Sequence, residues 1–347
     1  MEGIATPLAV DPIGRRIALK VDHGAASQLL VYRNDGDGAD LVDTPPGILH
    51  SIARWSDHGL HLVHSSPAQR ADIATVTFTP TPTWHTPAAN PADTGEPLAH
   101  SEWMDGPAGP IETVVYGGRN WRQAPYLLMA LHGGPHQAWR LDFNPFFQRL
   151  TSAGITVVAP NQRGSSGYSL EHRDAIRGNW GGPDLEDVCY LAQTLAAERR
   201  PIAEASLLLF GVSYGAFLAL RAITRLPELW ARCALVAPFS SVASLYADAS
   251  AGVREFLRTS EASDHVNQPF QASPATALRK FPQVLILHGK DDPMIPVTQG
   301  RKIRTSLLRA NGHRSSGLEY LEVPGGHDVL SPSPDLQEHI VHFLQAK

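Results

Sequence analysis

A serine stands between two glycines in the segment GVSYG, residues 211–215, with the apolar run LLLF before it and AFLAL after it. The pattern G-x-S-x-G predicts a tight turn from a strand into a helix that presents the Ser213 hydroxyl at its tip. Glycine on either side avoids a collision between a side chain and the neighbouring backbone. The sequence therefore predicts a nucleophile at Ser213 that attacks acyl carbon atoms.

A serine nucleophile needs a base, and the base needs an acid that orients it; in this type of turn both come later in the chain. The segment VLILHGKDDP ends one predicted strand and offers Asp291 and Asp292, and LEVPGGHD ends the next and offers His327. His327 is expected to take the Ser213 proton and return it to the leaving group. From position alone, either aspartate can orient the imidazole.

Backbone N–H donors are needed where negative charge develops on the substrate oxygen. The segment ALHGGP follows the first strongly apolar strand, and its Gly133 and Gly134 can turn N–H groups into the site. The N–H of Tyr214, one residue past the nucleophile, is the second expected donor.

The elements that position these residues alternate between strand and helix from about residue 125 onwards. Continuous apolar runs such as YLLMAL, ITVVAP and CALVAP are separated by helical segments such as PDLEDVCYLAQTLAAER. This alternation predicts a mostly parallel sheet with helices on both faces, and with the serine turn an α/β-hydrolase fold. We assign residues 111–347 to this domain and residues 86–110, rich in Pro, Thr, Gly and Ala, to a linker.

Residues 1–85 form a small all-β region in this prediction, because short alternating segments are divided by Gly, Asp and Pro. The stretch around Gly14 resembles the stretch around Gly59, a period of about 45 residues that is typical of one propeller blade. Two such copies are too few to close a propeller.

The composition of the chain limits the kinds of partner and the cell compartment that we expect. A net charge of -5 gives no reason to expect binding to nucleic acid, and no apolar run is long enough to span a membrane. The N-terminal segment shows no signal peptide, and Cys189 and Cys233 are read as buried thiols, so a cytoplasmic protein is expected.

Histidines that could suggest a metal site are interpreted otherwise. His61 is expected to point away from His58 and His64 if all three lie in a strand, and the glycines between His132 and His136 predict a loop. We expect neither a metal nor a cofactor.

Six motifs occur in order over residues 110–347: LHGGPH, NQRGSSGYS, NWGGPDLEDV, GVSYGAF, HGKDDPMIP and VPGGHD. Together they resemble the prolyl oligopeptidase family of serine peptidases, and most of all its acylaminoacyl-peptidase branch. The resemblance implies Ser213 as nucleophile, His327 as base and Asp292, rather than Asp291, as the acid. It also implies backbone oxyanion donors at Gly134 and Tyr214.

Other residues are expected near the site. His132 belongs to the glycine loop, and Arg163 is interpreted as either structural or close to the substrate. Ser169 stands where the family usually has a glycine. Phe239 and Tyr246, in the insertion after a strand, are candidates for pocket walls, with ordinary packing as the alternative.

The function implied is cleavage of peptide or acyl-amino-acid amide bonds through an acyl-enzyme. Because residues 1–85 are much shorter than the family's propeller, an esterase, thioesterase or acyltransferase that acts on a non-peptide small molecule is the alternative. A third reading is a non-catalytic binding or assembly protein, with residues 1–85 as the interaction module. We expect a small peptide or acyl compound as substrate, and a homo-oligomer joined through open sheet edges.

Overall fold

The computed structural model describes residues 4–34, 38–79, 81–86, 99–199, 206–262, 282–310 and 317–346. The N-terminal part contains strands β1 (Ile4–Val10), β2 (Arg16–His23), β3 (Ala26–Arg33), β4 (Gly38–Val42), β5 (Ile48–Ser56), β6 (Gly59–Ser66), β7 (Gln69–Thr77) and β8 (Thr83–His85). They form two antiparallel sheets in which neighbouring strands are consecutive in the chain, β1 to β4 and β5 to β8.

The two N-terminal sheets share a core. Leu29, Val31, Leu60 and Leu62 belong to one buried cluster, because β3 and β6 each direct alternate apolar residues inward. Each sheet has the four-stranded form of one propeller blade, which agrees with the repeat predicted from the sequence.

The second part contains strands and helices in alternation. Their order is β9 (Ala99–Met104), β10 (Ile111–Tyr116), β11 (Tyr126–Leu131), α1 (Pro145–Ser152), β12 (Ile155–Pro160), α2 (Leu170–Asp174), α3 (Pro183–Glu198), β13 (Ser206–Val212), α4 (Tyr214–Arg225), β14 (Trp230–Val236), α5 (Val242–Asp248), α6 (Ala251–Thr259), β15 (Gln283–Gly289), α7 (Thr298–Ala310), β16 (Leu318–Val323) and α8 (Pro334–Gln345). No helix within the described ranges has both the length and the apolar character of a membrane span.

These strands form one sheet in the order β16-β15-β14-β13-β11-β12-β10-β9. The six from β16 to β12 run parallel, and β10 and β9 pair antiparallel at one edge. Apolar side chains cover both faces: α3 and α4 contribute to one core and α1 and α8 to the other. The predicted α/β-hydrolase fold with a preceding β-region is confirmed.

The range 86–110, assigned to a linker from its composition, contains β9 in its second half. This strand pairs with β10 from Ala99 to Met104, so the sheet begins before residue 111. Its sequence, AHSEWM, is mixed in polarity because only its two end residues are buried. Residues 87–98 of the same range lie outside the described residues.

The turn between β2 and β3 docks the N-terminal region onto two loops of the large sheet. Gly24 donates its N–H to Gly167 O at 2.8 Å, and Leu141 donates its N–H to Ala25 O at 2.8 Å. The N–H of Ala25 donates to a carboxylate oxygen of buried Glu112 at 2.9 Å. The β-region therefore contacts the same end of the sheet at which the predicted site residues lie.

Candidate active site

Ser213 occupies the turn between β13 and α4, with φ 55° and ψ -117°. A positive φ is unfavourable for a residue with a Cβ, and such conformations cost about 1–3 kcal/mol each. Hydrogen bonds hold the turn: Ser213 N–H donates to Val236 O at 2.8 Å, and Ala216 N–H donates to Ser213 O at 3.0 Å. The Ser213 hydroxyl does not cap α4. The local fold thus leaves the Ser213 hydroxyl free of a capping role at the end of β13.

The two glycines of GVSYG are required by close backbone contacts. A Cβ on Gly215 would lie 2.1 Å from Leu131 O, and one on Gly211 would lie 2.2 Å from Gly215 O. Real Cβ atoms do not approach that closely, and a backbone oxygen inside a packed sheet cannot move aside. The spacing seen in the sequence therefore follows from the packing of α4 against β11 and β13.

Asp292 and His327 are joined by a hydrogen bond. The Nδ1–H of His327 donates to Asp292 Oδ2 at 2.8 Å, and Asp292 Oδ1 accepts the N–H groups of Met294 and Ile295, each at 2.8 Å. Asp292 is buried, whereas Asp291 is exposed and contributes its backbone N–H to Gly325 O at 3.0 Å. The structure therefore brings Asp292, and not Asp291, to the histidine.

The charge of Asp292 is stabilised by these donors. Burial alone would raise the pKa of its carboxyl group, but the hydrogen bonds from His327, Ile295 and Met294 outweigh burial and hold the pKa below its ordinary value. The loops that carry Asp292 and His327 are also tied together, since Lys290 N–H donates to Val323 O at 2.8 Å. An ionised acid in a fixed position can orient the imidazole.

Sequence reasoning missed His288, which lies beside this acid. Its Nε2–H donates to Ile295 O at 2.8 Å and lies 3.7 Å from Asp292 Oδ2. Burial lowers the pKa of His288, so the ring is neutral near pH 7 and does not compete as a cation for the carboxylate. Its position inside the apolar run QVLILHG is the only sequence signal, and it indicates burial rather than chemistry.

The loop after β11 lies beside the nucleophile. A Cβ on Gly133 would lie 3.6 Å from the Cβ of Ser213. Gly134 has φ 122°, a conformation that favours glycine. The N–H of Tyr214 is at the first position of α4, where the positive end of the helix dipole favours a developing negative charge. Gly133 thus lies against the turn that holds Ser213 and Tyr214, and the role of Gly134 and Tyr214 as oxyanion donors stays a prediction.

His132 holds this loop in place through hydrogen bonds. Its Nδ1–H donates to Gly133 O at 2.8 Å, its Nε2 is hydrogen-bonded to Ser165 Oγ at 2.8 Å, and the residue is buried. Burial lowers the pKa of His132 to about 4, so the ring stays neutral. The geometry supports a structural role for His132 rather than contact with the substrate.

Arg163 is engaged by α3. Its guanidinium donates from Nε to Asp187 Oδ1 at 2.9 Å and from a terminal nitrogen to the same oxygen at 2.7 Å, and its backbone N–H donates to Asp187 Oδ2 at 2.8 Å. Of the two interpretations given above, this geometry supports the structural one. Ser169, in the family's glycine position, caps α2 by accepting the N–H of His172 at 3.1 Å.

Phe239 and Tyr246, the two candidates for pocket walls, lie in different environments. Phe239 is 2% exposed and its ring stacks on Phe217 with centroids 4.7 Å apart, so it packs inside the core. Tyr246 is 48% exposed on α5. A different aromatic group touches the nucleophile's neighbour: Trp180 lies edge-on to Tyr214 at 5.0 Å, and the Tyr214 hydroxyl donates to buried Asp184.

Among the histidines considered for metal binding, His61 has other partners. His61 is hydrogen-bonded to Ser56 Oγ at 2.8 Å and to Thr75 Oγ1 at 2.9 Å, within the antiparallel sheet. Among the described residues, no group of three or more His, Cys, Asp or Glu side chains is arranged to hold a metal ion.

A serine in a strained strand-to-helix turn, with an aspartate and a histidine after later strands of a parallel sheet, defines the α/β-hydrolase class. The chain belongs to the prolyl oligopeptidase family, whose model matches residues 140–347.

Similarity to individual proteins agrees with this family. Acylamino-acid-releasing enzyme 2 of Oryza sativa is 24% identical over 267 residues, which cover 73% of this chain and 33% of the relative. The human acylamino-acid-releasing enzyme is 26% identical over 198 residues, which cover 54% of this chain and 27% of the relative. This chain therefore spans a third or less of the length of these curated relatives.

Solved structures share the fold over almost the whole chain. A puromycin-hydrolyzing peptidase of Mycobacterium tuberculosis matches 98% of this chain and 53% of its own with a TM-score of 0.77 at 22% identity. The acylaminoacyl peptidase of Pyrococcus horikoshii matches 95% of this chain and 54% of its own with a TM-score of 0.76 at 15% identity. The N-terminal sheets are included in these matches, so they belong to the shared architecture.

Proposed function

We propose that this chain is a serine hydrolase that cleaves the amide bond of short peptides or acyl-amino acids through an acyl-enzyme on Ser213. The observation that carries the proposal is the 2.8 Å hydrogen bond between His327 and the buried, ionised Asp292 at the same sheet edge as the strained Ser213. The named activities of family relatives, which release acylamino acids or hydrolyse puromycin, support the amide class.

In the proposed mechanism, His327 Nε2 takes the hydroxyl proton as Ser213 Oγ attacks the substrate carbonyl carbon. The N–H groups of Gly134 and Tyr214 donate to the resulting oxyanion, and each such donor is worth about 2.7–4 kcal/mol in the transition state. His327 then protonates the leaving nitrogen, the C–N bond breaks, and Ser213 carries the acyl group. Water, deprotonated by His327, attacks the ester and releases the acid.

Asp292 fixes the tautomer in this scheme. Because it accepts Nδ1–H, the Nε2 lone pair of His327 is directed away from the acid and is available to the serine. The approach of Ser213 to His327 within hydrogen-bond distance is the step that the proposal adds, and such contacts often tighten only when substrate binds.

The test compares matched amide and ester substrates that share one acyl group, with the wild-type protein and Ser213→Ala side by side. Ser213-dependent amide turnover within about a hundredfold of the ester, as kcat/KM, supports a peptidase-like enzyme. Ester or thioester turnover alone indicates the alternative, a hydrolase of non-peptide acyl compounds. Capture of the acyl group by added amine in preference to water indicates an acyltransferase. Turnover unaffected by Ser213→Ala would rule out the mechanism.

We further propose self-association through the N-terminal sheets. Strands β1 and β4 are sheet edges and mostly exposed, and they carry exposed apolar side chains at Ile4 and Leu41. A monomer in light scattering at micromolar concentration would contradict this. A cytoplasmic location is also proposed, on the basis of the two free, buried cysteines, and cell fractionation tests it.

A further inference from the structure

A cavity of about 590 Å³ opens at the carboxyl end of the parallel strands. It lies between the loop after β11, the start of α1 and the loop that leads into α8. Its volume is in the range of small-molecule sites, which is about 300–1,000 Å³. None of the residues assigned to the triad or to the oxyanion donors lines this cavity.

The cavity borders three parts of the proposed machinery at once. Gly133, Val212 and Asp328 line it, and they precede Gly134, precede Ser213 and follow His327 in the chain. His327 must protonate the leaving group, so that group has to lie on the His327 side of the nucleophile. A space bordered by the neighbours of His327 and of Gly134 is therefore where we place the leaving group.

The lining shows which chemistry fits. Aromatic rings form much of the wall, from Trp139, Phe143, Phe146, Phe147 and Phe210. Asp328 is the one carboxylate in the lining; its basic side chains are the two histidines His132 and His136, and no lysine or arginine lines the cavity within the part of the chain that the structure describes. Apolar walls favour a large apolar side chain. The negative charge of Asp328 disfavours a free carboxylate placed beside it.

We propose that this cavity binds the first residue of the leaving group and selects a neutral, aromatic one, such as phenylalanine amide, over glycine amide and over free phenylalanine. The proposal rests on the proposed serine hydrolase function. It assigns leaving-group specificity to the α1–α8 side of the sheet.

The experiment uses the full chain and peptides with one constant acyl part. The leaving residue is varied among Gly-NH2, Phe-NH2 and free Phe, and kcat/KM is measured for each. An ethyl ester with the same acyl part serves as a reference that does not fill the cavity. Burial of a phenyl ring predicts a preference of about tenfold or more for Phe-NH2 over Gly-NH2.

Ser331 offers a matched pair of variants. Its side chain is exposed at the rim, and its backbone N–H, which donates to Asp328 Oδ1 at 3.0 Å, survives substitution. Ser331→Trp places an indole in the opening, and Ser331→Ala leaves it open. We expect Ser331→Trp to reduce the ratio of kcat/KM for Phe-NH2 to kcat/KM for Gly-NH2 about tenfold, and Ser331→Ala to keep the wild-type ratio. Ala138→Leu, at the half-buried Ala138, fills the same space if Ser331→Trp does not fold.

The charge component is tested separately with Asp328→Asn. Removing the carboxylate should raise the ratio of kcat/KM for free Phe to kcat/KM for Phe-NH2 by about threefold or more. Equal rates for Gly-NH2 and Phe-NH2 in wild type, with turnover that depends on Ser213, would overturn the cavity assignment alone. The same holds if Ser331→Trp lowers all substrates equally. A lack of Ser213-dependent turnover on every substrate, the ester included, would overturn the proposed function as well.

Discussion

Replacing Asp292 with asparagine tests the orientation of the histidine with a minimal change of shape. The Oδ1 atom of Asp292 accepts two backbone N–H groups, from Met294 and Ile295, and Oδ2 accepts Nδ1–H of His327. An asparagine has one oxygen and one NH2 group to place in these two positions. With the oxygen turned to His327, its NH2 group would face two N–H donors and lose two hydrogen bonds, at about 1–3 kcal/mol each for buried groups.

The amide therefore settles with its oxygen on the two N–H groups and its NH2 group toward His327. Nδ1 then has to accept, the ring proton moves to Nε2, and the nitrogen needed as a base carries a hydrogen. Loss of the correct tautomer lowers kcat by about ten-thousand-fold in serine hydrolases. That factor corresponds to about 5 kcal/mol of transition-state free energy.

The assay is kcat/KM on the best ester and amide substrates, with thermal unfolding measured alongside to show that the variant is folded. Asp291→Asn is the matched control, because Asp291 is adjacent and exposed. Surface changes of this kind usually stay within about 0.5 kcal/mol, so its kcat/KM should stay within about threefold of wild type. The assignment of Asp292 as the acid would be refuted if Asp292→Asn keeps a tenth of wild-type activity. It would also be refuted if Asp291→Asn loses more activity than Asp292→Asn does.

Three further predictions concern stability. Gly215→Ala should lower the free energy of unfolding by about 3 kcal/mol in urea titration, because its Cβ meets a backbone oxygen at 2.1 Å. The control is Gly252→Ala on α6, which has open space around it and should be neutral or stabilising. Equal losses of stability in the two variants would contradict the packing argument. Glu112→Gln should lower the free energy of unfolding by about 1–2 kcal/mol, because the charged acceptor of two hydrogen bonds becomes neutral. An unchanged free energy of unfolding would argue against a firm contact at the β2–β3 turn. Burial raises the pKa of Asp184 to about 6, above the value of about 3.9 for an unfolded chain, so the folded state holds more protons between these values. The free energy of unfolding should therefore fall as pH rises from 4 to 6, and Asp184→Asn should lack that part of the slope; parallel pH curves would contradict it.

The features that could be predicted from sequence are those determined by neighbouring residues in the chain. GVSYG implies a turn because both glycines and the serine lie within one tight bend. The choice between Asp291 and Asp292 could not be made from position. It depends on which carboxylate faces the N–H groups of the following turn, and only the family resemblance favoured Asp292.

Other features depend on residues far apart in the chain. The hydrogen bond between Tyr214 and Asp184 joins the starts of two helices, and the support of Gly133 by His132 uses a serine 33 residues away. Composition alone predicts a linker where β9 lies, because an edge strand buries little and therefore shows a weak apolar pattern. Its pairing with β10 gives it structure, and pairing is not visible in composition.

The geometry of the candidate site is a property of the whole sheet edge. Ser213 N–H donates to Val236 O at the end of β14, and Ala237, which also has a positive φ of 49°, donates its N–H to Leu287 O in β15. The nucleophile turn is thus linked through two strand ends to the strand that carries Asp292. The strain at Ser213 is thus offset by hydrogen bonds to the neighbouring strand end, and Asp292 is held by its own hydrogen bonds from Met294, Ile295 and His327. Changes at these strand ends should therefore alter the position of Ser213 relative to Asp292.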